Sequence, residues 1–151
     1  MTKIKTMMAG VVLLCGLIAG ATTPEGWLDN FDEAEKLAKE KELPIVMLFT
    51  GSDWCPYCIK LKKEAIDTAK FKKEAPEKFV LLYLDFPRRE KLPKDIQRQN
   101  EKLSDKYKVR GFPTTVVVDA KGKELGRLVG SRSAEEYLAE LESFAAKDRK
   151  K

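Results

Sequence analysis

The chain has 151 residues, with 29 Lys and Arg against 24 Asp and Glu, three Cys, no His and a formal charge of +5. That length suits one domain with a real core. The mild charge carries no nucleic-acid signature: Lys60/Lys62/Lys63 and Lys147 to Lys151 stand without interleaved aromatics and read as a solvated helix face and a chain end.

In chain order, Met1 to Ala21 combines basic Lys3 and Lys5, an apolar stretch from Met7 to Ile18, and a closing Ala19-Gly20-Ala21. These are the three parts of a secretory signal peptide, with cleavage predicted after Ala21 and residues 22 to 151 forming the exported domain. An uncleaved anchor fits less well, because the run falls short of the roughly 20 apolar residues that span a bilayer. Lipidation at Cys15 is disfavoured by Leu14, which stands where such signals carry a small residue. The expected location is periplasmic or otherwise exported. Cleavage removes Cys15 and leaves Cys55 and Cys58.

An amphipathic helix is expected over roughly Phe31 to Lys41, with Phe31, Ala34, Leu37 and Ala38 on one face, Asp29 or Asn30 as cap, and Leu43-Pro44 as the stop. Trp27 and Phe31 read as core residues. Ile45 to Phe49 is too short, β-branched and aromatic for a helix and reads as a buried strand between Pro44 and Gly51. Cys55 and Cys58 follow just past its end. Ile59 to Ile66 is compatible with a helix whose first turn holds the pair. Asp67 to Lys78, charged and containing Pro76, is expected to be a broken helical or irregular connection. Phe79 to Phe86 reads as a second buried strand, parallel to the first in a βαβ unit and stopped by Pro87. A basic loop from Arg88 to Asp95 and a helix over Ile96 to Tyr107 follow. Gly111-Phe112-Pro113-Thr114 then opens a strand over Thr115 to Val118. Asp119 to Gly122 turns it into Glu124 to Val129, and a helix over Ser133 to Lys147, capped by Ser131 or Ser133, closes the chain.

The chemistry concentrates in PIVMLFTGSDWCPYC, residues 44 to 58. A thiolate rather than a thiol attacks a disulfide, and the unpaired N–H groups at a helix N-terminus stabilise negative charge. Cys55 falls where that field is strongest, and Cys58, one turn further in, is set to attack a mixed disulfide formed at Cys55. Pro56 costs nothing in a first helical turn, and Trp54 offers an apolar platform at the mouth. A disulfide closing so short a loop constrains the unfolded chain little, so the pair is a poor staple and a better redox couple. Half of a zinc site is the bland alternative. With no His and no other Cys after cleavage, one chain cannot supply four ligands, so no metal is expected.

WCPYC, followed much later by Gly111-Phe112-Pro113-Thr114 opening a strand, resembles the thioredoxin superfamily. The longer wording FTGSDWCPYC, with LDFP at 84 to 87 and QNEKL at 99 to 103, is similar to a secreted bacterial branch of thioredoxin-like disulfide reductases. The likeness covers roughly Trp27 to the C-terminal helix. It implies an α/β thioredoxin fold, a central mixed sheet flanked by helices in a single domain. It further implies a cis bond before Pro113, Phe112 pairing its backbone with an incoming substrate strand, and Pro113 keeping metal from bridging the thiolates. Trp54, Pro56 and Tyr57 complete the expected substrate-binding set. No bound cofactor is implied; the expected partners are disulfide-containing proteins or small thiols and a membrane electron donor resembling DsbD, with the chain acting as a monomer and without nucleic acid.

Departures from the family pattern also inform the reading. Relatives often place a carboxylate inside the strand before the active site to assist proton transfer from the second cysteine, but Ile45 to Phe49 is wholly apolar, and Leu81 stands where thioredoxin has a lysine. Asp53 and Glu64 are the candidate substitutes. Strongly oxidising relatives place a His between the cysteines, whose charge stabilises the reduced form; Tyr57 does not do that. CPYC also occurs in glutaredoxins, yet Trp54 and GFPT resemble thioredoxins more. Reduction of substrate disulfides through Cys55 and Cys58 is therefore the favoured activity. A disulfide oxidase or isomerase using the same cysteines, and a non-catalytic binding module of the same fold, are the alternatives.

Overall fold

A computed structural model describes residues 23–148; the expected signal peptide lies outside the described residues. Four strands form one mixed sheet in the order β2-β1-β3-β4. Strand β1 (Ile45–Thr50) pairs in parallel with β2 (Val80–Asp85) and antiparallel with β3 (Thr114–Val118), which pairs antiparallel with β4 (Glu124–Val129). Helices cover both faces of the sheet, and this explains why β1 reads as an unbroken apolar run rather than an alternating one. Val46 and Leu48 pack with Phe71, Tyr137 and Leu141 on one side. Ile45, Met47 and Phe49 pack with Ala34, Ala38 and Leu103 on the other.

Helix α1 (Phe31–Lys41) has the expected bounds. Asn30 caps it, accepting the Glu33 N–H at 3.0 Å, and Glu42 ends it in the left-handed region at φ 55°, donating its N–H to the Ala38 carbonyl. Trp27 is buried, stacked on Phe71 at 6.0 Å between centroids, while Phe31 is half-buried against the α1 side of the core. The segment after the cysteines begins as helix α2 (Pro56–Leu61) and widens into a π turn, Lys62–Ile66, where Asp67 donates its N–H to the Lys62 carbonyl five residues back.

One expectation is corrected here. The connection over Asp67 to Lys78 is not irregular: Ala69–Lys78 is helix α3, capped by the Thr68 hydroxyl, which accepts the Phe71 N–H. Buried Phe71 and Ala75, four residues apart, fix one face of this helix on the core. Pro76 sits in its last turn on the exposed side, where the lost N–H removes a single helical bond close to the natural stop.

Helix α4 (Lys94–Lys106) starts two residues earlier than expected, and α5 (Ala134–Asp148) closes the chain. Ser133, not Ser131, caps α5: its hydroxyl accepts the Glu136 N–H and Glu136 accepts the Ser133 N–H in return. At the β3–β4 turn, Asp119 accepts the N–H groups of Lys121 and Lys123, and its carbonyl accepts that of Gly122, whose φ of 81° needs a glycine. Among the described residues no helix is long and apolar enough to cross a membrane.

Candidate active site

The site grows from the end of β1. After Thr50 the chain turns through Gly51 to Trp54, with Cys55 donating its N–H to the Gly51 carbonyl at 2.9 Å. A side chain at Gly51 would strike the Trp54 ring, so the residue type is set by close approach. Cys55 is the N-cap of α2, with extended backbone; its sulfur accepts the Cys58 N–H at 3.3 Å, and Pro56 takes the first helical position. This is the local geometry expected from the spacing. The two cysteines are joined as a disulfide, their Cα atoms 5.2 Å apart, and both are buried. The Cys58 sulfur accepts the Gly51 N–H at 3.4 Å.

Facing the pair is the loop before β3. The Phe112–Pro113 bond is cis, and the Phe112 carbonyl oxygen lies 3.6 Å from the Cys55 sulfur. Thr114 donates its hydroxyl to the Gly111 carbonyl at 2.7 Å, and Pro113 accepts the Gly130 N–H at 3.0 Å, so both flanks of the loop are tied down. Three aromatic rings link this loop to the cysteine turn. Trp54 meets Phe112 edge-on at 6.0 Å, Phe112 stacks on Phe86 at 4.9 Å, and the Trp54 indole donates to the Phe86 carbonyl at 2.8 Å. Pro56 and Tyr57 lie on the outer surface, with Tyr57 65% exposed. Trp54, Phe112 and Pro113 are thus gathered at the disulfide, while Pro56 and Tyr57 line its solvent side.

The two proton-transfer candidates are placed elsewhere. The Asp53 carboxylate accepts the backbone N–H groups of Arg88 and Arg89, at 3.0 and 2.7 Å. These bonds, that of Arg88 first, hold it below the usual carboxylate range. Glu64 lies in the π turn, exposed, with its carboxylate 3.9 Å from the Lys60 ammonium. Among the described residues the hydrogen-bond donor to the Cys58 sulfur is Gly51.

A partly buried polar network, with Asp85 and Asn100 at its buried centre, supports the cysteine turn and is not legible in the sequence as a set of roles. Asp85, at the end of β2, accepts both the N–H (2.9 Å) and the hydroxyl (2.5 Å) of Ser52. The Asp85 carbonyl accepts the Asn100 side-chain amide at 2.9 Å; Gln99 in turn bonds Asn100, the Asp29 carbonyl and the Phe31 N–H. The wording LDFP and QNEKL marks these same positions, so a signal existed, but it named residues without their contacts. Tyr83 beside them has its phenol pushed above the ordinary range, by burial first and then by the Asp85 charge. It therefore stays neutral and serves as packing. Arg88, whose guanidinium lies 3.8 Å from the centroid of the Trp54 ring, was also missed. No group of three or more His, Cys, Asp or Glu side chains gathers as a metal site among the described residues.

The arrangement is one in which a buried sulfur at a helix start can exchange with an external disulfide while its neighbour one turn in attacks in its place. The chain is similar to known proteins. The family model of a thioredoxin-like domain matches residues 31–145. Over 100 residues, 66% of this chain and 60% of the relative, the chain is 37% identical to the disulfide bond reductase DsbH of Chlamydia pneumoniae. Over 102 residues, 68% of this chain and 29% of the relative, it is 30% identical to the thioredoxin-related protein DsbJ of the same organism. The matched region thus spans less than two thirds of either relative's length. The solved structure of a DsbH oxidoreductase superposes with a TM-score of 0.75 at 31% identity, covering 92% of this chain and 95% of that one. The sheet order, the cysteine pair at the start of α2, the cis proline opposite it and the family match lead to one conclusion: the chain belongs to the thioredoxin-like family and is similar, within it, to DsbH.

Proposed function

We propose that the protein is an exported thiol-disulfide oxidoreductase that reduces substrate disulfides. The observation that carries the reading is the Cys55–Cys58 disulfide at the start of α2, opposite Phe112 and Pro113. In the reduced enzyme the Cys55 thiolate attacks one sulfur of a substrate disulfide, forming a mixed disulfide and releasing the other substrate sulfur as a thiolate that takes up a proton. Cys58, once deprotonated, attacks the Cys55 sulfur. The enzyme disulfide forms and the second substrate thiol leaves, so two electrons and two protons pass to the substrate. The donated N–H of Cys58 supports negative charge at Cys55, and that of Gly51 supports it at Cys58.

Two features favour the reducing direction. Tyr57 and Pro56 between the cysteines bring no positive charge that would stabilise the dithiol form, and the relative DsbH is named a disulfide bond reductase. Re-reduction then falls to a membrane carrier resembling DsbD, and the protein works as a monomer outside the cytoplasm after cleavage at Ala21.

Equilibration of residues 22–151 with a dithiol buffer series tests the direction. The expected potential lies near the thioredoxin value of about −270 mV; one near about −120 mV would overturn reduction in favour of disulfide formation. Activity itself is tested by Cys55→Ser, expected to abolish turnover of a protein disulfide, and by Cys58→Ser, expected to accumulate the mixed disulfide at Cys55. Full turnover by folded Cys55→Ser would overturn the role given to Cys55, and no turnover by the folded native protein would leave only a binding module.

A further inference from the structure

The loop after β2 brings one cation onto the platform beside the redox pair. Asp53, next to Trp54 in sequence, clamps the backbone of Arg88 and Arg89. The clamp holds the chain where the Arg88 guanidinium lies over the Trp54 ring, 3.8 Å from its centroid, and Trp54 adjoins Cys55 and meets Phe112 edge-on. Among the described residues no carboxylate lies within ion-pair distance of Arg88. The Asp53 carboxylate is engaged with the backbone N–H groups of Arg88 and Arg89 rather than with the Arg88 guanidinium. Of the other carboxylates near this loop, Asp85 is buried and committed to Ser52, and Glu90, exposed two residues on, makes no ion pair with Arg88. Among the described residues Arg88 is therefore an oriented, exposed cation without an ion-pair partner, at the rim beside the redox pair.

We propose that Arg88 is a specificity-determining residue that selects disulfides flanked by a substrate carboxylate, that is, acidic segments of protein substrates. The inference rests on the oxidoreductase reading above. A guanidinium stacked on an aromatic face still presents its N–H edges, and a carboxylate accepts two of them in parallel. Stacking removes part of the freedom the side chain would otherwise lose on pairing, so the contact adds to substrate binding with little ordering cost. Arg88 lies beside the reacting sulfurs without touching them. Its effect belongs in the discrimination between substrates rather than in the exchange step.

The test uses two disulfide peptides identical except for Glu or Gln at the residues flanking the reactive cysteine, and compares kcat/KM for residues 22–151 and for Arg88→Gln and Arg89→Gln. The native protein is expected to prefer the Glu peptide by about two- to fivefold at low ionic strength, the range an exposed ion pair supports. The preference should vanish in Arg88→Gln, persist in Arg89→Gln, and shrink in molar salt, where the screening length falls to about 3 Å. Turnover of the Gln peptide should be unchanged in Arg88→Gln, as should the reduction potential. Equal loss on both peptides, or a displaced potential, would overturn the proposal by assigning Arg88 to the platform or the thiolate. No preference in the native protein would overturn it too. Turnover of the Gln peptide separates that outcome from failure of the oxidoreductase reading, in which neither peptide is reduced. Oxidised glutathione serves as a third substrate: a preference confined to it, absent between the peptides, would identify a small-thiol carboxylate site and equally refute the acidic-protein assignment.

Discussion

The two ends of the sheet solve the same problem in opposite ways. At the β3–β4 turn, Asp119 satisfies amides two and four residues away, and the contact from outside the turn is the Tyr107 hydroxyl, 15 positions back, which donates to the Gly122 carbonyl. At the redox end, Asp85 reaches Ser52 across 33 positions of sequence, Asp53 reaches Arg88 across 35, and Gln99 reaches Phe31 across 68. A local turn can be altered with local consequences. A turn held by residues from three distant segments passes any change to whatever it supports, and here it supports Gly51, whose N–H faces the Cys58 sulfur.

Asp85→Ala should therefore produce the largest effect. It leaves the half-buried N–H and hydroxyl of Ser52 without their acceptor, at an expected cost of about 2 kcal/mol in denaturant unfolding. It should also move the Cys55/Cys58 potential by about 10–30 mV, the equivalent of one altered hydrogen bond to sulfur. Asp119→Ala should cost about 1 kcal/mol and leave the potential unmoved. Equal shifts of potential in the two variants would erase the distinction between the ends.

The smallest effect concerns Asp53. Its folded-state pKa lies below the ordinary 3.8, so the ionised clamp contributes stability that is present above 3.8 and is lost as pH falls through the lower folded value. The protection factors of the Arg88 and Arg89 amides, referred to the intrinsic rate at each pH, should stay raised at neutral pH and fall away in that acid window, while those of β1 remain high. Loss of protection already at pH 6 would show that the clamp does not depend on the carboxylate charge.

The same contrast explains what could be read in the amino-acid sequence. The α1 helix, β1, the Asp119–Gly122 turn and the cysteine-bearing helix start announce themselves through spacing, caps and turn residues that act over a few positions. Helix α3 was hidden because Pro76 reads locally as a breaker, whereas Phe71 and Ala75 bind the helix to a core contributed by other segments. The site divides likewise. Cys55 and Cys58 are legible from their separation alone, and the Phe112–Pro113 loop only through a family likeness. Asp85, Asn100 and Arg88 act through partners that no local pattern names.

The position of β1 at the centre of the sheet has a further meaning for how the chain matures. Ile45 pairs with Val80 on one side and with Val118 on the other. A chain emerging from its N-terminus displays both cysteines well before the strand that walls them from the far side has been made. Until β3 docks, the Phe112–Pro113 loop that opens it does not face the pair. Synthesis thus leaves an interval in which the two thiols stand less screened than in the folded protein.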